Sequence, residues 1–212
     1  MVLQDGSLTN YPVSLSIDYP GRPLNRLTTF FRFIIMVPIV VILGLVTNVT
    51  AQWDNEVLKT TVASGGILFV PVVLMVLFRQ KYPRWWFDWN VSLVKFSTRV
   101  LVYVMLLRDE YPSTDEDQSV HINIEYPDVL KNLNRWLPLI KWFLAIPHYF
   151  ILCFLIAALF ICVVIAWFAI LFTGKYPETM FRFVVGVIRW NLRVSGYAFL
   201  LVTDQYPSFS LK

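Results

Sequence analysis

The sequence predicts an α-helical integral membrane protein made of two tandem repeats. Each repeat reads as a transmembrane helical hairpin followed by an interfacial amphipathic helix, with short cytoplasmic β-strands. Three observations carry this. Charged residues make up only 15% of the 212 and hydrophobic ones 57%, whereas soluble domains are about a quarter charged. The apolar residues are gathered into runs long enough to cross a bilayer. And seven of the ten tyrosines precede a proline, six of them marking one layout written twice.

The first copy runs from Val13 through Tyr19-Pro20 and Lys81-Tyr82-Pro83 to Asp109-Glu110-Tyr111-Pro112; the second runs from Val120 through Tyr126-Pro127 and Lys175-Tyr176-Pro177 to Asp204-Gln205-Tyr206-Pro207. Tyr11-Pro12 is an unmatched extra. The layout divides the chain into repeat 1 (1–112), an acidic linker (113–119) and repeat 2 (120–212). A repeat of this length makes each half a control for the other, because an essential group is expected at both matched positions.

In repeat 1 the uncharged runs Phe33 to Ala51 and Thr60 to Phe78 predict spans over about 27–50 and 60–79, joined by the polar loop Gln52 to Lys59. The polar first two dozen residues show no signal-peptide pattern, so the first span is expected to act as its own insertion signal. Cys153 and Cys162 lie within an apolar run, where a free thiol behaves as a small hydrophobe.

Repeat 2 carries 33 residues, Trp142 to Gly174, with no acidic or basic side chain apart from His148. One straight helix of that length would reach roughly 50 Å, beyond the ~30 Å hydrocarbon core. The expectation is therefore a hairpin over about 134–173, turning near Ala157-Ala158. It also places all 18 Lys and Arg except Lys59 on one side, a positive-inside pattern that puts both termini in the cytoplasm.

After each Lys-Tyr-Pro comes an amphipathic stretch, expected as an interfacial helix over about 84–107 and 178–202. Asp88, Ser92, Lys95 and Arg99 in the first, and Arg182, Gly186, Arg189 and Arg193 in the second, share the spacing four, three, four. That spacing draws a polar stripe along one helical face. Trp85, Trp86, Trp89 and Trp190 suit the headgroup boundary. Lys95, Arg99, Arg182, Arg189 and Arg193, with those tryptophans, are the candidate contacts to lipid headgroups or to a partner; plain snorkelling by the basic residues is the alternative.

Alternating Val13 to Ile17 and Val120 to Ile124 predict half-buried strands. The segments at Asp109 and Asp204, with Phe209 and Leu211 alternating beyond the second, are expected to join them in a small sheet. Each proline holds its tyrosine extended, marking a stop between elements.

Reactive groups do not converge. No His, Cys, Asp and Glu cluster has metal spacing, no nucleophile–base set is present, and Thr173-Gly174-Lys175 lacks the upstream glycine and the strand-to-helix context of a phosphate loop. His148 has no counterpart across the repeat and is expected to be packed and neutral. No cofactor is expected and nothing points to nucleic acid. Asn48-Val49-Thr50 fits a glycosylation triplet.

The paired blocks Asn-Arg-x5-(Arg/Lys)-x5-Pro (Asn25 to Pro38, Asn134 to Pro147), Lys-Tyr-Pro-x3-Phe (Lys81 to Phe87, Lys175 to Phe181) and Arg-Val-x2-Tyr-x3-Leu (from Arg99 and Arg193) resemble an uncharacterised bacterial integral-membrane family, a domain of unknown function often found in tandem. The resemblance implies a multi-pass protein of the bacterial inner membrane and brings no activity with it. The expected function is non-enzymatic: an accessory or scaffolding subunit of a larger membrane complex, with phospholipids and other membrane-protein subunits as partners. An anionic-lipid-binding or membrane-organising role is the alternative, and a small transporter a third.

Overall fold

The computed structural model describes residues 11–47, 70–114, 116 and 118–211. The loop Gln52 to Lys59, the triplet at Asn48 and parts of both spans expected in repeat 1 lie outside the described residues.

Strands β1 (Val13–Ile17) and β2 (Val120–Ile124) pair antiparallel, with Leu15 opposite Ile122 at the centre and Val13 opposite Ile124 at one end. Their period-two alternation sorts the side chains as expected: Val13, Leu15, Ile17, Val120 and Ile124 are buried, while Ser14, His121 and Asn123 face outward. The sheet among the described residues has these two strands alone. The segments at Asp109 and Asp204 are not strands, contrary to expectation. Their carboxylates instead accept the backbone N–H of Asn25 (2.8 Å) and Asn134 (2.5 Å), which turns each segment toward a helix start.

The helices are α1 (Arg26–Phe30), α2 (Arg32–Ile35), α3 (Val37–Thr47), α4 (Val70–Arg79), α5 (Arg84–Val104), α6 (Val129–Asn132), α7 (Lys141–Leu144), α8 (Ile146–Thr173) and α9 (Glu178–Ala198). Asn25 caps α1 through its side-chain oxygen, which accepts from Leu27 N and Thr28 N. The last turn of α4 widens to π geometry over Met75–Arg79.

The 33-residue run resolves differently from the expected hairpin. Residues Ile146–Thr173 form a single 28-residue helix with no turn at Ala157-Ala158. Alanine is the strongest helix former, and neither Gly nor Pro occurs between His148 and Thr173 to break the ladder. The helix stops where Gly174 takes a left-handed φ of 73°, the usual glycine C-terminal stop. Gln80 ends α4 in the same left-handed region, φ 46°. Among the described residues α8 alone is long and apolar enough to cross a membrane, with a mean hydropathy of 3.1 in a window only 17% buried.

Helix α9 lies at the centre, buried on both sides. Against one side, Val13 approaches Gly196, Arg189 Nε donates to Leu15 O (3.0 Å), and the Tyr19 ring meets Phe181 edge-on at 5.0 Å. Against the other, Leu152 of α8 shares a core with Trp190, Val194 and Tyr197. In the first half, Ile39 of α3 packs with Phe96 and Val100 of α5.

The halves interlock. The Tyr19 hydroxyl donates to Tyr176 O (2.5 Å), and Tyr126 reaches back to donate to Tyr82 O while its ring meets Phe87 at 5.1 Å. Each strand's Tyr-Pro thus docks on the Lys-Tyr-Pro of the other half, and Leu24 N adds a bond to Gly174 O (2.8 Å).

Candidate functional site: a basic groove beside the sheet

Helix α5 runs beside β2 and turns part of its polar stripe toward the sheet. Lys95 and Arg99, with Ser14, Ser16, Gln118, His121 and Asn123, line a groove of about 250 Å³ that also runs along Val120 and Ile122. Arg99 Nη1 donates to Ser113 O (2.6 Å), which ties the linker across one end. Lys95 makes no hydrogen bond or ion pair among the described residues, which leave out Asp115 and Asp117. His121 Nε2 stands 3.3 Å from Asp18 Oδ2 at the rim. Two cations, two serine hydroxyls and two side-chain amides make a surface suited to holding an acidic or hydrogen-bonding partner by charge-assisted contacts. Among the described residues no group of three or more His, Cys, Asp and Glu is placed to hold a metal ion.

The matching stripe on α9 is closed. Arg193 is buried, and its Nη1 donates to Ser208 Oγ (3.3 Å) and Ser210 O (3.4 Å) of the C-terminal segment. Burial, and then the neighbouring Arg189, pull its guanidinium below the ordinary range. Leu211 lies so close over Gly186 that a Cβ there would come within 2.7 Å of Leu211 O. The corresponding residue on α5, Ser92, is exposed. The same helical stripe is therefore covered by the chain's own tail in one half and open in the other.

The residues expected at a headgroup boundary divide. Trp85 and Trp89 are exposed, 68% and 43%, and Trp86 is half-buried against them. Arg182 is exposed and paired with Glu178 one turn away. Arg189 and Arg193 point into the protein, to the strand and the tail. Trp190 is a correction: it is 4% exposed and donates Nε1–H to His148 Nδ1 at 3.0 Å. With β1 on one side of α9 and α8 on the other, Trp190 and Arg193 have no free face to meet lipid. His148 itself is fully buried, with its ring stacked on Phe209 at 4.0 Å.

Sequence reasoning passed over Arg32, Lys141, Asp109 and Asp204. Both cations stand in the Asn-Arg-x5-(Arg/Lys) blocks, whose spacing gives their match across the repeat but not their partners. Arg32 is 2% and Lys141 0% exposed, and each pairs with the aspartate of its own half.

A family described as a domain of unknown function (DUF4389) matches residues 135–210. That stretch holds α7, α8, α9 and the tail as far as Ser210. Neither the curated proteins nor the solved structures contain a match.

Proposed function

We propose that the protein is a non-enzymatic scaffolding or accessory subunit seated in the bacterial inner membrane, with an apolar face in lipid and a polar face toward the cytoplasm. The observation that carries this is the division of surfaces. Phe150, Phe154, Phe160, Ile161, Phe168 and Phe172 of α8 are exposed, an apolar area far larger than single scattered hydrophobes and typical of a membrane-facing surface. Across α9, the sheet turns Ser14, His121 and Asn123 outward beside the groove.

The two halves are read as equivalent tandem units around a pseudo-two-fold axis through the Leu15–Ile122 pair. Support comes from contacts that recur in pairs: Arg32 with Asp109 and Lys141 with Asp204, Tyr19 with Tyr176 O and Tyr126 with Tyr82 O, and left-handed Leu106 and Leu201. On this reading the axis runs along the membrane normal and both termini are cytoplasmic. The open groove at Lys95 and Arg99 is the surface for another subunit. Photo-crosslinking from Asn123 in cells, followed by mass spectrometry, is expected to capture a protein partner, and the capture is expected to disappear with Lys95→Glu. Crosslinks to lipid alone would favour the second reading.

That second reading is anionic-lipid recognition, supported by the exposed Trp85 and Trp89 beside Arg84. Trp85→Ala with Trp89→Ala is then expected to lower binding to phosphatidylglycerol vesicles while leaving the crosslink unchanged.

A further inference from the structure

Resting on the membrane-seated reading, we infer that α8 lies in the plane of the membrane, within one leaflet, and does not cross it.

The first ground is the direction of its neighbours. Residues 13, 15 and 19 meet α9 at Gly196, Arg189 and Phe181 in reverse order. Six residues of extended chain reach about 20 Å at ~3.3 Å each, and the fifteen helical residues from 181 to 196 reach about 22 Å at 1.5 Å each. The strand therefore runs along α9 for most of the helix. Helix α8 is held to α9 at both ends. At one end the short connection 174–177 joins them; at the other, His148 receives the Trp190 hydrogen bond and Ala145 shares a core with Tyr197 and Ala198. A single buried stripe, His148, Leu152, Leu159, Ala166 and Ile170, runs the length of α8. If α8 crossed the bilayer, α9 and the strand pair beside it would be carried into the hydrocarbon too. Open sheet edges do not occur there, and neither does an outward face of serine, histidine and asparagine.

The second ground is what holds the two ends of α8. At its start, Lys141 meets Asp204, and Asp204 also takes the N–H of Asn134. Next to Asn134, Arg135 Nε donates to Leu77 O (2.5 Å), close to Gln80. At its end, Gly174 O accepts from Leu24 N, Asn25 N donates to Asp109, and the Arg26 guanidinium lies beside Gly174. These two surroundings are the same set of parts taken from opposite halves: Asp204, Asn134 and Gln80 at one, Asp109, Asn25 and Gly174 at the other. On the tandem-unit reading above, the pseudo-two-fold exchanges them, and points exchanged by an axis along the membrane normal lie at one depth. A helix joining two points at one depth runs along the surface.

The charge distribution agrees with this. Arg135 and Lys141 at one end and Arg22, Arg26 and Lys175 at the other sit on one side without any crossing. Exposed Trp136 and Trp142 stand near the first end, at the level such rings favour. The same-side charge count that argued for a hairpin is met by a helix that never leaves its leaflet.

The test uses the full chain in vesicles of phosphatidylethanolamine and phosphatidylglycerol. In a Cys153→Ala, Cys162→Ala background, single cysteines at the exposed positions Phe150→Cys, Phe154→Cys, Ile161→Cys, Phe168→Cys and Phe172→Cys carry a fluorophore whose depth is read by spin-labelled lipids. All five are expected at one depth, about 5–10 Å below the headgroup boundary. A profile that deepens by about 15 Å to the midplane at Ile161 and becomes shallow again at both ends would overturn the proposal, since half the hydrocarbon thickness is of that order. In sealed vesicles an impermeant maleimide is expected to reach Trp142→Cys and Lys175→Cys from the same side, and labelling from opposite sides would also overturn it. Failure of the unlabelled protein to float with vesicles would instead overturn the membrane-seated reading itself.

Discussion

Lys141 and Asp204 form a buried ion pair, with Nζ 2.7 Å from Oδ1, that closes the start of α8 onto the segment following α9. The ammonium also donates to Thr203 O (2.6 Å) and lies 5.1 Å from the Tyr197 ring centre. Burial pulls the Lys141 ammonium below its ordinary range, and the hydrogen bond and charge of Asp204 partly restore it. Arg32 repeats the arrangement with Asp109, Tyr103 O and the Tyr103 ring. Two cations placed in such surroundings are not by themselves a source of net stability, since a buried pair often does no better than a hydrophobic one.

Removing the acid alone is expected to be severe. Asp204→Ala strands a fully buried ammonium and an Asn134 N–H, and should destabilise by about 3–5 kcal/mol, the range for breaking a buried pair from one side. Lys141→Met should cost less, because Asp204 is 22% exposed and keeps its backbone donor. Thermal unfolding in detergent measures both, and the reverse order would contradict the assignment of Lys141 as the more deeply buried partner.

The Tyr-Pro pairs give a second expectation, about assembly of the two halves. Tyr19→Phe and Tyr126→Phe each keep the ring packing on Phe181 and Phe87 but delete a hydroxyl that reaches the other half. Each should lose about 1 kcal/mol, the net value of one hydrogen bond. The two sites sit on opposite halves with separate partners, so the double variant should show the sum within about 0.5 kcal/mol. A loss confined to one of the two would speak against equivalent roles.

What could be read in the sequence was whatever depends on local spacing. Period-two alternation found β1 and β2, the stripe spacing found α5 and α9, and the repeat found Arg32 and Lys141 as matched positions. What could not be read were choices between long-range partners. The run through Ala157-Ala158 is equally apolar in a bent or a straight form, and the decision rests on helix propensity and on what holds the two ends. Whether Arg189, Arg193 and Trp190 meet lipid or protein depends on β1 from the other half, on the tail and on His148 of α8 in turn, partners that no local pattern reveals. The strands expected at Asp109 and Asp204 failed because each carboxylate is drawn to a buried cation and a helix start rather than to a sheet edge.

The covered stripe on α9 yields a third expectation. Gly186 lets Leu211 lie directly on the helix, so Gly186→Val should lift the segment after Ser208 without breaking the core beneath. Hydrogen exchange at Ser210 and Leu211 should accelerate, and carboxypeptidase should remove these residues faster. The Lys141 and Arg32 regions should keep their protection. If exchange in the tail is unchanged, Leu211 is held elsewhere.

A last expectation concerns acid. Glu110 joins the end of α5 to the start of β2: it accepts from Arg108 Nη2 (2.6 Å), Ser119 Oγ (2.6 Å) and Ser119 N (3.1 Å). Burial alone would raise its pKa, but the hydrogen bonds from Ser119 and Arg108 outweigh that and hold the carboxyl below its usual 4.5. A carboxyl depressed in the folded state binds fewer protons there than in the unfolded chain. Its stabilisation is therefore complete above about pH 4.5 and is lost as pH falls through the lower folded value. With the side chain 41% exposed, solvent screening keeps the contribution under about 1 kcal/mol. The native chain should melt above Glu110→Gln at pH 7, and the two melting curves should converge as pH falls below about 4.5. A gap that widens on acidification would mean that Glu110 is held as the neutral acid, and the three hydrogen bonds would have to be reassigned.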